Sequence, residues 1–336
     1  MFFNRFSPER VGVVFAVLSA LGFSLKAIFV KLAYMAAPVD AVTLLSFRMI
    51  FSLPVFLWVA LASMRAGPPI SRRDWAFLTV LGLFGYYGSS ILDFMGLQYI
   101  SAGLERLILF TYPMLTILIG VAFMGKSFDA REVKSMVLSY AGIGLAFAHD
   151  LRVASEVRQV VIGASLVFCA SLSYAIYQAY SETAIRRFGV ARFSSLATLV
   201  SVAATEIHFF IAQPVSSLVQ SAPIYFYGIA MAVFSTILPV FMLSAATRRI
   251  GASRSVLIGA LGPVLTVFFG WWLLDEGISS AQVVGTALVL SGVLLVGSVR
   301  KKDPGASISP ASAPTDSSKK SEAPERLLPK DARKDS

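Results

Sequence analysis

Apolar runs of around twenty residues follow one another along almost the whole chain, broken only by short polar clusters. A run of that length crosses a ~30 Å hydrocarbon core as an α-helix. The pattern predicts helices over 11–33, 39–63, 75–98, 102–124, 133–148, 160–180, 193–213, 223–243, 253–273 and 280–299. The divisions fall at "APVD" (37–40), "AGPPISRRD" (66–74), "AQPVSS" (212–217) and "DEGISS" (275–280), where Pro, Gly, Asp and Ser favour turns. Connections this short leave almost no room for an extramembrane domain.

Composition agrees with a bilayer as solvent. Of 336 residues, 56% are apolar and only 14% charged, against about 25% charged in ordinary soluble domains. The net charge of +10 sits in short loops and in the C-terminal stretch. No basic helix or aromatic-interleaved surface follows a phosphate backbone, so nucleic acid is excluded as a partner. One cysteine, Cys169, and two histidines exclude an intramolecular disulfide and a His/Cys metal site, and leave a carboxylate site open. No motif asks for a cofactor, and nothing resembles a Walker loop. Residues 11–33 are longer than a signal-peptide core and carry no small-residue cleavage signal, so they read as the first span.

Lysine and arginine placement orients the spans. With the N-terminus in the cytoplasm, Arg5, Arg10, Arg65, Arg72, Arg73, Lys126, Arg131, Lys134, Arg186, Arg187, Arg192, Arg248, Arg249, Arg254, Arg300, Lys301 and Lys302 all fall inside. The opposite connections hold only Arg152 and Arg158, with Lys31 at the end of the first span. The positive-inside rule therefore favours ten spans with both termini cytoplasmic. The domains read as a short N-terminus (1–10), a first five-helix unit (11–148), a second (160–299) and a tail (303–336) whose Pro, Ser, Ala and charge predict disorder.

The two units are related. At an offset of 150, residues 97–126 and 247–276 share Ile100/Ile250, Ala102/Ala252, Leu107/Leu257, Ile108/Ile258, Pro113/Pro263, Leu115/Leu265, Thr116/Thr266 and Gly120/Gly270. Further along, Gly142 pairs with Gly292 and Leu145 with Leu295. Five spans per unit reverse the second with respect to the first, the architecture from which alternating access arises. Pro113 and Pro263 are helix-bend candidates, since each removes an amide and releases a carbonyl that a neighbour must satisfy.

The segment "GASRSVLIGALGPVLTVFFGWWLLDEGISSAQVVGTALVLSGVLLV" (251–296) closely resembles the second EamA-type repeat of the drug/metabolite transporter superfamily, and 102–147 is similar to the first repeat. "FSLKAIFVK" (23–31) and "SYAIYQAYS" (173–181) are similar to the first-helix segments of the two halves. The resemblance covers about 11–299. It implies a ten-helix carrier of small metabolites, often an exporter of amino acids in a bacterial cytoplasmic membrane. It also implies that the third, fourth, eighth and ninth helices border the central path, with the fifth and tenth peripheral. The sequence departs from the family at Phe23-Ser24, where Trp-Gly is common, and at Gly125-Lys126, where the second repeat keeps Asp275-Glu276.

Independently of that resemblance, ionisable residues lie inside the predicted spans: Lys26, Arg48, Asp93, Glu105, Arg106 and Glu206. An ion in hydrocarbon is costly, so each implies a pair, a polar cavity or a route to the interface. Helical rise places all of them within roughly 12 Å of the outer helix ends. Their formal charges cancel, as in a paired network. Two readings stand: a gate and substrate site where a zwitterion replaces internal ion pairs, or structural pairs with Asp93, Glu105, Arg106 and Lys26 extending towards water.

Tyr86 and Tyr87 lie between Gly85 and Gly88, while Tyr174, Tyr177 and adjacent Gln178 lie in the sixth span. Of these, Tyr86, Tyr177 and Gln178 are the cavity candidates. His208 stands about 200° from Glu206 on an ideal helix, so the two do not form a direct relay. It reads as an interfacial histidine packed beside Phe209 and Phe210. The glycines at 82, 85 and 88 read as a close-packing face. The function that follows is a secondary transporter of a small-molecule substrate, not an enzyme, in a lipid bilayer. A membrane enzyme would need a clustered reaction-specific site that the charged set lacks, and a structural or sensory membrane protein would need more extramembrane surface than the tight loops leave. The sequence leaves open substrate identity, export against uptake, proton or substrate-gradient coupling, and homodimer formation.

Overall fold

The computed structural model describes residues 7–65, 67–125, 130–153 and 155–299, and all regular structure among them is helical. In order these are α1 (Pro8–Ala36), α2 (Ala41–Arg65), α3 (Arg72–Gly82), a π-helical turn (Leu83–Gly88), α4 (Ser89–Gly96), α5 (Ala102–Leu109), α6 (Tyr112–Met124) and α7 (Ala130–Val153). There follow α8 (Val157–Phe188), α9 (Val190–Ala212), a 3-10 turn (Val215–Leu218), α10 (Ala222–Ala232), a second π turn (Val233–Ile237), α11 (Leu238–Ile250), α12 (Ala252–Gly259), α13 (Gly262–Leu274) and α14 (Ser280–Val299). Helix is the expected solution in lipid, where every backbone amide and carbonyl needs an internal partner.

Among the described residues, seven helical segments are long and apolar enough to cross a membrane by length and composition: Pro8–Ala36, Ala41–Arg65, Arg72–Gly96, Ala102–Met124, Val157–Phe188, Val190–Ala212 and Ala222–Ile250. Gly262–Leu274 and Ser280–Leu295 are shorter apolar helices. Large apolar side chains face outwards, with Trp58 72%, Phe123 77% and Ile211 81% exposed. Water would penalise such a surface, whereas lipid matches it. Residues 303–336, expected to be a tail, lie outside the described residues, as does Lys126.

Helix bounds recur at the sequence offset of 150. The start of α3 at Arg72 matches that of α10 at Ala222, the π turns begin at Leu83 and Val233, and α5 and α12 begin at Ala102 and Ala252. Gly125 and Asp275, the residues ending α6 and α13, both adopt the left-handed conformation, with φ of 66° and 53°. Asp275 is the only non-glycine with positive φ among the described residues.

The predicted helices at 102–124 and 253–273 are each interrupted rather than bent. α5 ends at Leu109 and α6 starts at Tyr112, with Pro113 in its first turn, while Pro263 occupies the same position in α13. A proline is accepted there because first-turn amides have no intrahelical acceptor. Its missing amide leaves the Leu109 carbonyl free, and Ser171 Oγ of α8 donates to that oxygen at 3.1 Å.

Packing exchanges helices between the halves. α1 packs on α11, α13 and α12, while α8 packs on α4, α6 and α5. α2 pairs with α9, and α7 with α14. Polar bonds accompany these crossings: Ser19 Oγ donates to the Pro239 carbonyl at 2.9 Å, and Ser24 Oγ to the Gly262 carbonyl at 3.1 Å. The small residues of α7 and α14 serve this packing within the chain. A Cβ at Gly142 would lie 2.5 Å from the Gly285 carbonyl oxygen, and one at Gly285 would lie 2.6 Å from that of Gly142.

Candidate functional site

Four helices bring charge together on one side of the seam between the halves. Lys26 of α1 places Nζ 2.6 Å from Asp93 Oδ2 of α4 and 3.4 Å from Glu105 Oε1 of α5. The side chains of Asp93 and Glu105 are 2% and 0% exposed. Neither carboxylate extends to water, and Lys26 turns to them instead of the interface. Each carboxylate also keeps one covered oxygen, Asp93 Oδ1 and Glu105 Oε2, without a hydrogen-bond donor.

Arg48 of α2 reaches across the seam. Its Nε donates to Thr236 Oγ1 at 2.9 Å, an NH group donates to Ser90 Oγ at 3.3 Å, and its guanidinium carbon lies 5.7 Å from the Phe94 ring centre. It is within Coulombic reach of Asp93 and of Tyr86. Arg106, next to Glu105, stacks over Phe110 at 5.2 Å and presses against the start of α13, where a Cβ on Gly262 would meet its guanidinium nitrogen at 2.7 Å.

An aromatic wall adjoins these charges. Tyr112 and Tyr174 meet edge to face with centroids 4.9 Å apart, Tyr174 and Tyr177 lie 5.6 Å apart, and Tyr86 meets Tyr177 at 5.3 Å. The Tyr177 hydroxyl donates to that of Tyr86 at 3.3 Å, and Phe193 stacks on Tyr177 with ring centroids 5.6 Å apart. Gly85 permits this approach, since a Cβ there would stand 2.3 Å from the Tyr177 ring. The glycine-rich face of the third predicted span thus packs closely, against this ring and, at Gly82, against Ala197 and Val200 of α9.

Three sequence expectations change. Gln178 is exposed while Tyr177 beside it is buried, because successive helical residues point about 100° apart. Glu206 stands apart from the cluster: Ser46 Oγ donates to its Oε2 at 2.7 Å, while its Oε1 has no donor. The connected cluster is therefore Lys26, Arg48, Asp93, Glu105 and Arg106, which is not neutral. His208 is not merely packed beside phenylalanines, for its Nδ1 lies 2.9 Å from the Tyr87 hydroxyl.

Sequence reasoning passed over Glu276 as a site residue. Its Oε1 accepts the Ala102 amide at 2.9 Å and its Oε2 the Gly103 amide at 3.4 Å, joining the end of α13 to the start of α5. The departure between the repeats at Lys126 and Glu276 was the available signal. The same offset matches Asp93, Glu105 and Arg106 with Leu243, Ser255 and Val256, so the charge belongs to one side of the repeat only. Among the described residues no group of His, Cys, Asp and Glu has the arrangement of a metal site.

Comparison with known proteins identifies the surroundings of this site. The model of the EamA-like transporter family matches residues 10–148 and again 161–298. The chain is 29% identical over 293 residues to the uncharacterized transporter YcbK of Bacillus subtilis, covering 84% of this chain and 91% of that protein. It is 25% identical over 232 residues to the uncharacterized transporter YyaM of the same organism, with 68% and 75% covered. It is 23% identical over 207 residues to the uncharacterized transporter sll1319 of Synechocystis, with 61% and 62% covered. A solved crystal structure superposes with a TM-score of 0.60 at 16% identity, covering 86% of this chain and 97% of the other, a likeness of fold.

Proposed function

Because the chain belongs to the EamA-like transporter family and is a multi-pass membrane protein, we propose that it is a secondary transporter that exports small metabolites, amino acids or related compounds, across a bacterial cytoplasmic membrane. In this reading, ten spans form two inverted five-helix repeats with both termini cytoplasmic. A solute or proton gradient supplies the energy. The charge-bearing helices then separate and re-form contacts across the seam as the solute site alternates between the two sides.

The observation that carries the reading is the buried ionic cluster at the seam. Arg48 bonds to Thr236, and Arg106 presses on Gly262, so charged side chains of the first half end on backbone and side chains of the second. Ions are retained in a hydrocarbon-embedded protein where they serve a polar path. The adjoining tyrosines offer an amphipathic wall to an organic solute, with apolar faces and hydroxyl edges. The recurrence of helix bounds supports two interconvertible arrangements, since each half presents nearly the same helices to the other.

The test is counterflow into proteoliposomes loaded with a mixed pool of amino acids and metabolites, with protein-free liposomes as the control. Saturable, protein-dependent exchange of one chemical group is the expected result. Folded, inserted protein that exchanges nothing from the pool contradicts the assignment.

A further inference from the structure

Arg106 is a buried cation that feels the Asp93 and Glu105 carboxyls only at Coulombic range, with no direct ion pair. Only 8% of the residue is exposed, yet among the described residues its guanidinium makes neither a hydrogen bond nor an ion pair, and its covered Nε has no acceptor. Its guanidinium lies over the Phe110 ring, 5.2 Å from the ring centre. Burying a guanidinium with its N–H donors unused is costly, and such groups are normally paired. The neighbouring carboxylates are already turned to Lys26, at 2.6 Å from Asp93 and 3.4 Å from Glu105.

The composition of the cluster points the same way: three basic side chains, Lys26, Arg48 and Arg106, face two acidic ones, Asp93 and Glu105, and Glu206 is engaged with Ser46. Tyr112 and Tyr174 lie within Coulombic reach of Arg106, which places an aromatic wall beside the open donors. Two acceptors without donors, Asp93 Oδ1 and Glu105 Oε2, belong to the same cluster. One unpaired donor group and two unpaired acceptors complement a solute with a carboxylate and a nearby ammonium.

We propose that Arg106 is the receptor for the solute's carboxylate, and that the carboxylate is the obligatory recognition group of the substrates this protein carries. The planar guanidinium offers parallel N–H donors that match a carboxylate in bidentate fashion. Asp93 and Glu105 then receive an ammonium where the solute has one, and the tyrosines flank its body. This assignment rests on the transporter reading and narrows its substrate class.

The experiment uses wild-type protein and Arg106→Gln, with L-phenylalanine, 3-phenylpropionate and phenethylamine as millimolar probes. Melting of the purified proteins is measured with and without each probe, followed by counterflow of every solute that the wild type exchanges. The two carboxylates are expected to raise the wild-type melting temperature and phenethylamine to leave it unchanged. Arg106→Gln is expected to melt no lower than wild type without probe, to lose the carboxylate response, and to weaken exchange about tenfold or more.

The proposal is overturned if phenethylamine stabilises the protein as the carboxylates do, or if neither carboxylate shifts wild-type melting. It is equally overturned if Arg106→Gln responds like wild type, or if the variant melts several degrees lower without probe, which marks a purely structural guanidinium. Wild type that shows the carboxylate response without any exchange supports the Arg106 site while contradicting transport. Exchange of amines alone supports transport and contradicts Arg106.

Discussion

The carboxylate of Glu276, beyond the end of α13, sits on the first turn of α5, with Oε1 2.9 Å from the Ala102 amide nitrogen. The amides of a helix start have no intrahelical acceptor, and negative charge there also complements the helix dipole. Gly270 leaves the space, since a Cβ there would stand 2.9 Å from Glu276 Oε2. Glu276 thus holds the two halves together through backbone groups.

Glu276→Ala is expected to lower the melting temperature of purified protein by roughly 2–4 °C, the effect of losing a cap worth ~1 kcal/mol. Glu276→Gln, which keeps a carbonyl acceptor, recovers part of the loss. Equal melting of all three proteins would show that this contact contributes nothing to stability.

Lys26 lies between two carboxylates that are almost wholly covered. Lys26→Met leaves buried charge uncompensated, and breaking a buried pair in this way costs about 3–5 kcal/mol. Thermal unfolding is expected to show that loss, and Asp93→Asn in the same chain to recover part of it. Additive effects in the double-mutant cycle would contradict the pairing.

Gly85 has no room for a methyl group, with the Tyr177 ring 2.3 Å from the position of a Cβ. Gly85→Ala is expected to destabilise by about 1–3 kcal/mol, as overpacking does, and to slow exchange by displacing the Tyr86 and Tyr177 pair. Gly144 is the control, because nothing lies within 4 Å of its Cβ position. Gly144→Ala removes a flexible residue from α7 and leaves stability equal or higher by up to about 1 kcal/mol. Matching losses at both sites would refute the packing argument.

Arg48→Ala removes the bonds to Thr236 and Ser90, whereas Glu206→Ala removes only the bond from Ser46. At equal membrane abundance, judged by immunoblot, initial exchange is expected to fall about tenfold for Arg48→Ala, equivalent to ~1.4 kcal/mol, and less for Glu206→Ala. The reverse order would return Glu206 to the solute path.

The membrane-crossing runs were legible because hydrocarbon imposes a single rule, apolar length, and the repeat was legible because Pro113 and Pro263 keep the same offset. The interruption at 110–111 was not, since a proline in a helix pattern reads as a bend until the partner of the Leu109 carbonyl is known, and Ser171 comes from the other half. The charged residues were visible one by one, but their pairing depends on contacts 67 and 79 residues apart along the chain. Separation of Glu206 from the others has the same cause. Glu276 went unnoticed because a carboxylate beside a turn resembles any solvated loop residue until the helix start it caps is brought to it.

The central claim is that the charged seam lies on a path reached in turn from both sides of the membrane. Ser90, beside Arg48, is suited to test it in a chain where Cys169 is replaced by Ser, so that Ser90→Cys supplies the single thiol. A membrane-impermeant thiol reagent is applied to one face or the other of vesicles of uniform orientation. The account predicts labelling from either face, slowed by a solute that the protein exchanges. Labelling from one face only, at a rate no exchanged solute alters, would contradict it.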